Sequence, residues 1–311
     1  MLERSTSPRG LVLNEVVEEL SSPKSIAALP HRGNHDVPMP SVDTLDEVMN
    51  LLKAVLLPGY FGPSDLRPET TKYHIGFSLD RVASLLWEQV KRGYCYACSD
   101  DGARNCADCD EKAHSVTSNF LTRLPEIRRL LITDIDAAFE GDPAAQRKGE
   151  TIFCYPSIRA MIKHRVAHEL HLLGVPLIPR IISERGHSVT GIDIHPGATI
   201  GEKFFMDHGT GIVIGETTII GTNVRLYQGV TLGAKSFPMD KLGNPIKGVP
   251  RHPIVEDNVI IYAGATILGR ITIGKGCVVG GNVWITHDMP AYSKIQQGKP
   301  IELPLMDGAG I

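Results

Sequence analysis

The stretch Asp193-Ile194-His195-Pro196-Gly197-Ala198-Thr199-Ile200-Gly201-Glu202-Lys203-Phe204-Phe205-Met206 opens the pattern that decides the fold. Ile194, Ile200 and Met206 stand six residues apart, and the spacing continues through Ile214, Ile220, Leu226 and Leu232. After an interruption it resumes at Val255, Ile261, Ile267, Ile273, Val279 and Ile285. An apolar period of six suits neither a helix at 3.6 nor a strand at 2. It suits a solenoid whose coil has flat faces, each a short strand followed by a tight turn. The stretch from Ile192 to Ile285 is therefore read as a parallel β-helix of hexapeptide repeats, with the aliphatic residue of each repeat pointing inward.

The register breaks twice. Between Met206 and Ile214 the step is eight, and the extra residues lie in Asp207-His208-Gly209-Thr210-Gly211. Between Leu232 and Val255 a long excursion, 233–253, carries Lys235, Lys241, Lys247, Arg251 and His252 with four prolines. Loops thrown out of a rigid scaffold are where binding and catalytic groups gather.

Outward from the coil, the chain reads as α+β in four parts. Residues 1–40, rich in Ser, Pro and charge, read as a flexible leader with room for one short helix at the apolar burst Leu11 to Val17. Residues 41–190 form an all-helical domain. Thr44 to Glu47 resembles a capping box for a helix ending at Pro58-Gly59, and Leu79, Val82, Leu86 and Val90 mark a second helix ending at Gly93. Pro125 stands as a first-turn proline for a helix to Gly141, and another runs from Pro156 to Gly174. The coil occupies 191–290 and a tail follows at 291–311. Gly141-Asp142-Pro143-Ala144-Ala145 reads locally as a turn, with Asp142 as its initiator.

The 311 residues carry a net charge of −3. No overall basic field draws such a chain to nucleic acid or a membrane. No apolar run has signal-peptide or membrane-span character, so the expected location is the cytoplasm.

Cys95-x-x-Cys98 and Cys106-x-x-Cys109 form a double CxxC inside the helical part. Four thiolates so paired suit a structural zinc ion; an iron–sulfur cluster, four free cysteines in a surface insertion at 95–109, and two adventitious disulfides are the alternatives. Cys154 and Cys277 read as packing residues. In the coil, Asp193 is expected to reach His208 and fix its tautomer, as a general base requires. A His208 that only satisfies a backbone carbonyl is the competing reading, and His252 on its own reads as an exposed loop histidine. His195 reads as a turn residue, and His164, His168 and His171 as a solvated helix face.

The runs Asp193 to Ala198, Met206 to Thr217, Tyr227 to Gly233, Arg251-His252-Pro253 and Gly264 to Gly269 resemble serine O-acetyltransferase, a family of hexapeptide-repeat acyltransferases. The similarity extends back through Gly141 to Ala144 and the helix before Gly174, covering roughly residues 125–290. The resemblance implies a left-handed coil and acetyl transfer from acetyl-CoA to the L-serine hydroxyl, the first committed step of cysteine biosynthesis, by direct attack. It implies His208 as general base with Asp193 orienting it. His252 helps hold the carboxylate and the transition state, Arg251 clamps the carboxylate, and Asp142 and Asp207 bind the ammonium. Pantetheine is expected near Gly233, Ala234, Ala263, Gly264 and Ala265, with Lys235 meeting phosphate or adenine. A homotrimer or a dimer of trimers, cysteine inhibition at the serine site, and binding of O-acetylserine sulfhydrylase through Ile311 are implied in the same way. The length of the loop and the cysteine insertion depart from the family pattern. Other acceptors, homoserine or a sugar, and a non-catalytic scaffold are the competing functions; the acidic pair and Arg251 argue for a zwitterion, and the two histidines for retained activity.

Overall fold

The computed structural model describes residues 8–29, 37–98 and 106–299. Its helices are α1 Pro8–Ser21, α2 Pro23–Ala27, α3 Val42–Leu56, α4 Pro68–Ala97, α5 Cys106–Gly141, α6 Lys148–Cys154, α7 Pro156–Leu172 and α8 Ile178–Thr190. The described part of the leader holds two helices, and Val12, Leu13, Val16 and Leu20 of α1 are exposed. Among the described residues, no helix is long and apolar enough to cross a membrane.

Three helix ends differ from the sequence reading, each for a local reason. The cap of α3 is Ser41, whose hydroxyl accepts from the Thr44 amide at 3.2 Å, so the helix starts before Thr44. Helix α4 runs past Gly93, which serves close packing instead of termination: a Cβ there would lie 2.9 Å from the Pro176 carbonyl oxygen. Helix α5 continues through Pro125. The ring removes one ladder hydrogen bond, but Phe120, Leu124, Ile127, Leu131 and Ile135 on both sides of it are buried and hold one helix together.

After α8 the chain winds into the coil. The strands are β1 Asp193–Ile194, β2 Thr199–Ile200, β3 Phe205–Asp207, β4 Val213–Ile214, β5 Ile219–Ile220, β6 Arg225–Tyr227 and β7 Thr231–Gly233. Beyond the loop come β8 Ile254–Val255, β9 Ile260–Ile261, β10 Thr266–Leu268, β11 Thr272–Ile273, β12 Val278–Val279, β13 Trp284–Ile285 and β14 Lys294–Ile295. They form three parallel sheets, β1-β4-β7-β10-β13, β11-β8-β5-β2 and β14-β12-β9-β6-β3, which are the three faces of a left-handed β-helix. All thirteen aliphatic positions of the six-residue period are buried, none more than 7% exposed. Each such side chain contributes about 1.5–3 kcal/mol on burial, which is why the period alone dictates the coil. The last strand pairs with β12, so the coil extends a little past residue 290.

The register break in the first coil is visible in the pairing. Asp193 lies beside Val213, twenty residues on, whereas Val213 lies beside Thr231, eighteen on. The two extra residues sit at the corner after β3. The long loop leaves after β7 and returns before β8, at the next corner round, with Phe237, Met239 and Leu242 exposed along it.

The helical part is bolted to the coil by a buried ion pair. Arg165 on α7 donates to both oxygens of Asp134 on α5, at 2.7 and 2.8 Å. It also donates to the Ile200 and Gly201 carbonyls, while the Phe204 amide donates to Asp134 at 3.1 Å.

Candidate active site

Two groups of polar side chains lie on the coil, at different corners. The first collects around the break after β3. Helix α5 ends at Gly141, and Asp142 follows in a turn closed by the Ala145 amide donating to the Asp142 carbonyl at 3.1 Å. The Asp142 carboxylate accepts from the Ala144 amide at 2.8 Å and from the Tyr155 hydroxyl. Those two bonds, with the charge of nearby His208, hold its carboxyl below the ordinary value, and the Tyr155 phenol is raised by desolvation and by the same bond. Such an acid is ionised whenever a substrate ammonium is present. Asp207 ends β3, and His208 Nε2 lies 3.8 Å from its carboxylate. His208 has a φ of 55° and is largely exposed. A non-glycine residue held there stores about 1–3 kcal/mol of strain, and it presents the imidazole outward beside Asp142.

The second group lies where the long loop returns. The Arg251 guanidinium donates to Glu216 at 2.6 Å. Burial alone would raise the Glu216 carboxyl; the Arg251 bond and charge, with His195 and His252, outweigh it and keep it low. His252 is buried, and its ring lies over Gly215, where a Cβ would fall 2.0 Å from His252 Cδ2. Burial, then the Arg251 charge, opposed by Glu216 and reinforced by Arg270, lowers the His252 imidazole to about 4. Arg270 reaches up from the following coil to donate to the Thr217 and His252 carbonyls, at 2.6 and 3.0 Å. Glu216, Thr217 and Arg270 had no role in the sequence reading. The sequence carried no local signal for them, because the long loop and the coil put most of their partners 34–53 residues away.

Asp142, Asp207 and His208 are brought together, and Arg251 is brought to His252. Asp193 and His208 make no hydrogen bond, although the corner that carries His208 stacks on the residues just before Asp193: the Gly211 amide donates to the Gly191 carbonyl at 2.8 Å, and a Cβ on Gly209 would meet the Ile192 side chain. The cofactor residues also divide between the corners. Gly264 lies at the His208 corner, in a stack with Gly211 and Gly229, and Ala263 and Ala265 flank it. The Ala265 side chain is fully buried in the coil, so it offers a ligand only backbone. Gly233, Ala234 and the exposed Lys235 lie at the His252 corner. Next to Asp207 in register is Tyr227, which stacks on Tyr262 with ring centroids 5.0 Å apart.

Several expectations are corrected. His252 is not an exposed loop histidine. His164 is buried on α7, and His168 is half-buried with Nδ1 2.8 Å from the Pro196 carbonyl; only His171 is exposed. The reason is that α8 and the first coil cover that face of α7. Cys277 is buried as expected, whereas Cys154 is exposed at the end of α6. Cys95 and Cys109 are buried, and Cys98 Sγ lies 3.3 Å from Cys109 Sγ. The Cys106 side chain and residues 99–105 lie outside the described residues, as does Ile311. Among the described residues no three Cys, His, Asp or Glu side chains gather to hold a metal ion, so the zinc reading gains no support there.

The bacterial transferase hexapeptide family (six repeats) matches residues 252–287. The plasmid serine acetyltransferase of Synechococcus elongatus is 49% identical over 313 residues, covering 99% of this chain and 98% of that one. A serine acetyltransferase of Bacillus subtilis is 44% identical over 167 residues, 54% of this chain and 73% of its own. Among solved structures, serine acetyltransferase isoform 3 of Entamoeba histolytica, in complex with cysteine, superposes with a TM-score of 0.71 at 32% identity, over 96% of each chain. With kinship at that identity running from end to end, the chain belongs to the serine acetyltransferase family.

Proposed function

We propose that this chain transfers acetyl from acetyl-CoA to the L-serine hydroxyl, and that its two corners each recognise one end of the amino acid. The observation that carries the reading is an acidic corner with an exposed imidazole and a second corner with a guanidinium beside a buried imidazole. Asp142 and Asp207 suit an ammonium beside His208, and Arg251 suits a carboxylate beside His252. A sugar acceptor would need neither charge.

His208 takes the hydroxyl proton as the serine oxygen forms its bond to the acetyl carbon. The C–S bond then breaks, and the proton passes to the departing thiolate, so no acyl-enzyme is needed. Asp193 enters as the partner that orients His208, its strand beginning beside the His208 corner; apo geometry often leaves such bonds unmade. Coenzyme A is assigned to the glycine-lined corner at Gly264, flanked by Ala263 and Ala265, and to Gly233, Ala234 and Lys235.

Because the two halves sit at different corners of one coil, the complete site joins the His208 corner of one copy to the Arg251–His252 corner of another, in a trimer or a pair of trimers. The expected contact of Ile311 with O-acetylserine sulfhydrylase is tested by deleting Ile311; unchanged affinity removes it. The four cysteines enter as a structural zinc site, supported by their spacing and by the Cys98–Cys109 approach. Metal analysis of purified protein decides that point, one zinc per chain against none.

The direct experiment is thiol release from acetyl-CoA with L-serine, L-homoserine and amino sugars in parallel. Turnover with serine alone, suppressed by cysteine, is expected. Turnover with a different acceptor would discard the substrate assignment, and no turnover would leave a scaffold.

A further inference from the structure

Thr217 makes more hydrogen bonds to the catalytic segment than a turn residue needs. Its Oγ1 accepts from the Arg251 amide at 2.9 Å and from the His252 amide at 3.1 Å. The same Oγ1 lies 2.9 Å from His252 Nδ1, and the Thr217 backbone N–H donates to that nitrogen at 3.1 Å. A hydroxyl has one proton to give and two lone pairs. Both lone pairs are taken by amides, so the proton goes to Nδ1. An Nδ1 that accepts from two donors carries no proton of its own. The imidazole is then the neutral tautomer with its hydrogen on Nε2, and Nε2 has no partner within the described residues.

We propose that Thr217 is a positioning residue for the acyl transfer, holding His252 as a neutral Nε2–H donor that cannot act as the base. This rests on the serine acetyltransferase reading and divides the labour between the two histidines. His208, exposed at its corner, moves the proton. His252 only donates, to the substrate carboxylate or to the oxygen that becomes negative when the hydroxyl attacks the thioester. A donor fixed before the charge develops needs no reorganisation when it does.

The surroundings favour the same state. Arg251 and Arg270 both face the His252 segment, and Gly215 forms the floor under the ring. Glu216 opposes the two cations, but its carboxylate is engaged by Arg251. A second proton on His252 would break both bonds from Thr217 and add a third positive charge to this group. Arg270 braces the arrangement from the next coil by tying the Thr217 and His252 carbonyls together.

The test combines Thr217→Val and Thr217→Ser in the full chain with nitrogen-15 NMR of labelled histidine, His252 being assigned through His252→Asn. Wild-type protein at pH 7 is expected to show His252 protonated on Nε2 alone. Thr217→Val keeps the side-chain shape and strands two amides. It should lower kcat/KM for serine by about 10- to 100-fold, mix the tautomers and move the acidic limb of the pH–rate profile upward. Thr217→Ser should restore all three readouts. An unchanged tautomer and profile in Thr217→Val, at any stability, would reduce Thr217 to a turn residue and overturn the proposal. Should that variant not fold, wild-type protein with His252 protonated on Nδ1, or on both nitrogens, overturns it alone. Failure of wild-type protein to acetylate serine would instead sink the functional reading and leave the tautomer result standing.

Discussion

At the scale of single residues, the site depends on one position where a methyl group does not fit. A Cβ at Gly215 would overlap the His252 ring, falling 2.0 Å from Cδ2 and 2.7 Å from Cγ, so the ring itself would have to move. Gly215→Ala is therefore expected to displace the imidazole from Thr217 and to cost at least about 10-fold in kcat/KM for serine. The thermal midpoint should fall only modestly. Kinetics beside a circular-dichroism melt checks this, and full activity would show that the ring is not needed where it lies. At the other corner, Asp142→Asn keeps the turn but removes the charge, and should raise KM for serine while leaving KM for acetyl-CoA unchanged. An equal rise in both would mean that Asp142 shapes the site instead of binding the ammonium. These residues were unequally legible. His208 and Arg251–His252 stand at register breaks, where a repeat-driven sequence has no structural reason to place them. Asp142 reads from local sequence as a turn initiator, and it is one: its carbonyl and carboxylate both close the turn. Only the resemblance gave it a second role. Thr217 and Arg270 were invisible because their partners lie 34–35 and 18–53 residues away, across the long loop or the next coil.

At the scale of elements, the six-residue period specified the coil almost completely, because a repeated inward aliphatic admits one solution. Helix ends were poorly legible because tertiary packing set them. Gly93 looks like a stop and is a contact surface, and Pro125 looks like a start and sits inside a buried helix. The junction between the helices and the coil left no pattern, since Asp134 and Arg165 are two charges on separate helices. Their pair is buried, 0% and 5% exposed, and satisfies coil carbonyls as well. Removing one partner leaves the other charged group without compensation in a dry interface. Asp134→Ala is expected to destabilise the protein by about 3–5 kcal/mol, read as a shift in the denaturant midpoint. Replacing both with apolar residues of matching volume should cost less than the single change. A single variant within about 0.5 kcal/mol of wild type would show that water or a rearranged side chain replaces the bond.

At the scale of the whole molecule, the coil, α7 and the returning loop together hide imidazoles from water. His164 is enclosed by α7, α8 and the first coil, with no partner for Nδ1 among the described residues. Its imidazole is held well below the ordinary value by burial first, then by His168, Arg165 and His195. His168 is lowered chiefly by burial, and His195 and His252 are each brought to about 4. In the unfolded chain all four take up a proton near pH 6.5, whereas the folded chain resists until well below that. The unfolded state therefore binds more protons as pH falls, and stability must drop. This contribution is complete above about pH 6.5 and is lost as pH descends toward about 4. Low-lying carboxyls such as Asp142 and Glu216 steepen the loss further down, so the window that isolates the histidines is about pH 6.5 to 5. Each histidine contributes a slope of at most about 1.4 kcal/mol per pH unit there. His164→Leu removes one such group while keeping an apolar side chain of similar size there, and should make the slope of unfolding free energy shallower by up to that amount. Denaturant titrations at half-unit pH steps measure it directly. A variant slope equal to that of wild type would mean that His164 takes up its proton in the folded state, through an opening of the α7–coil interface.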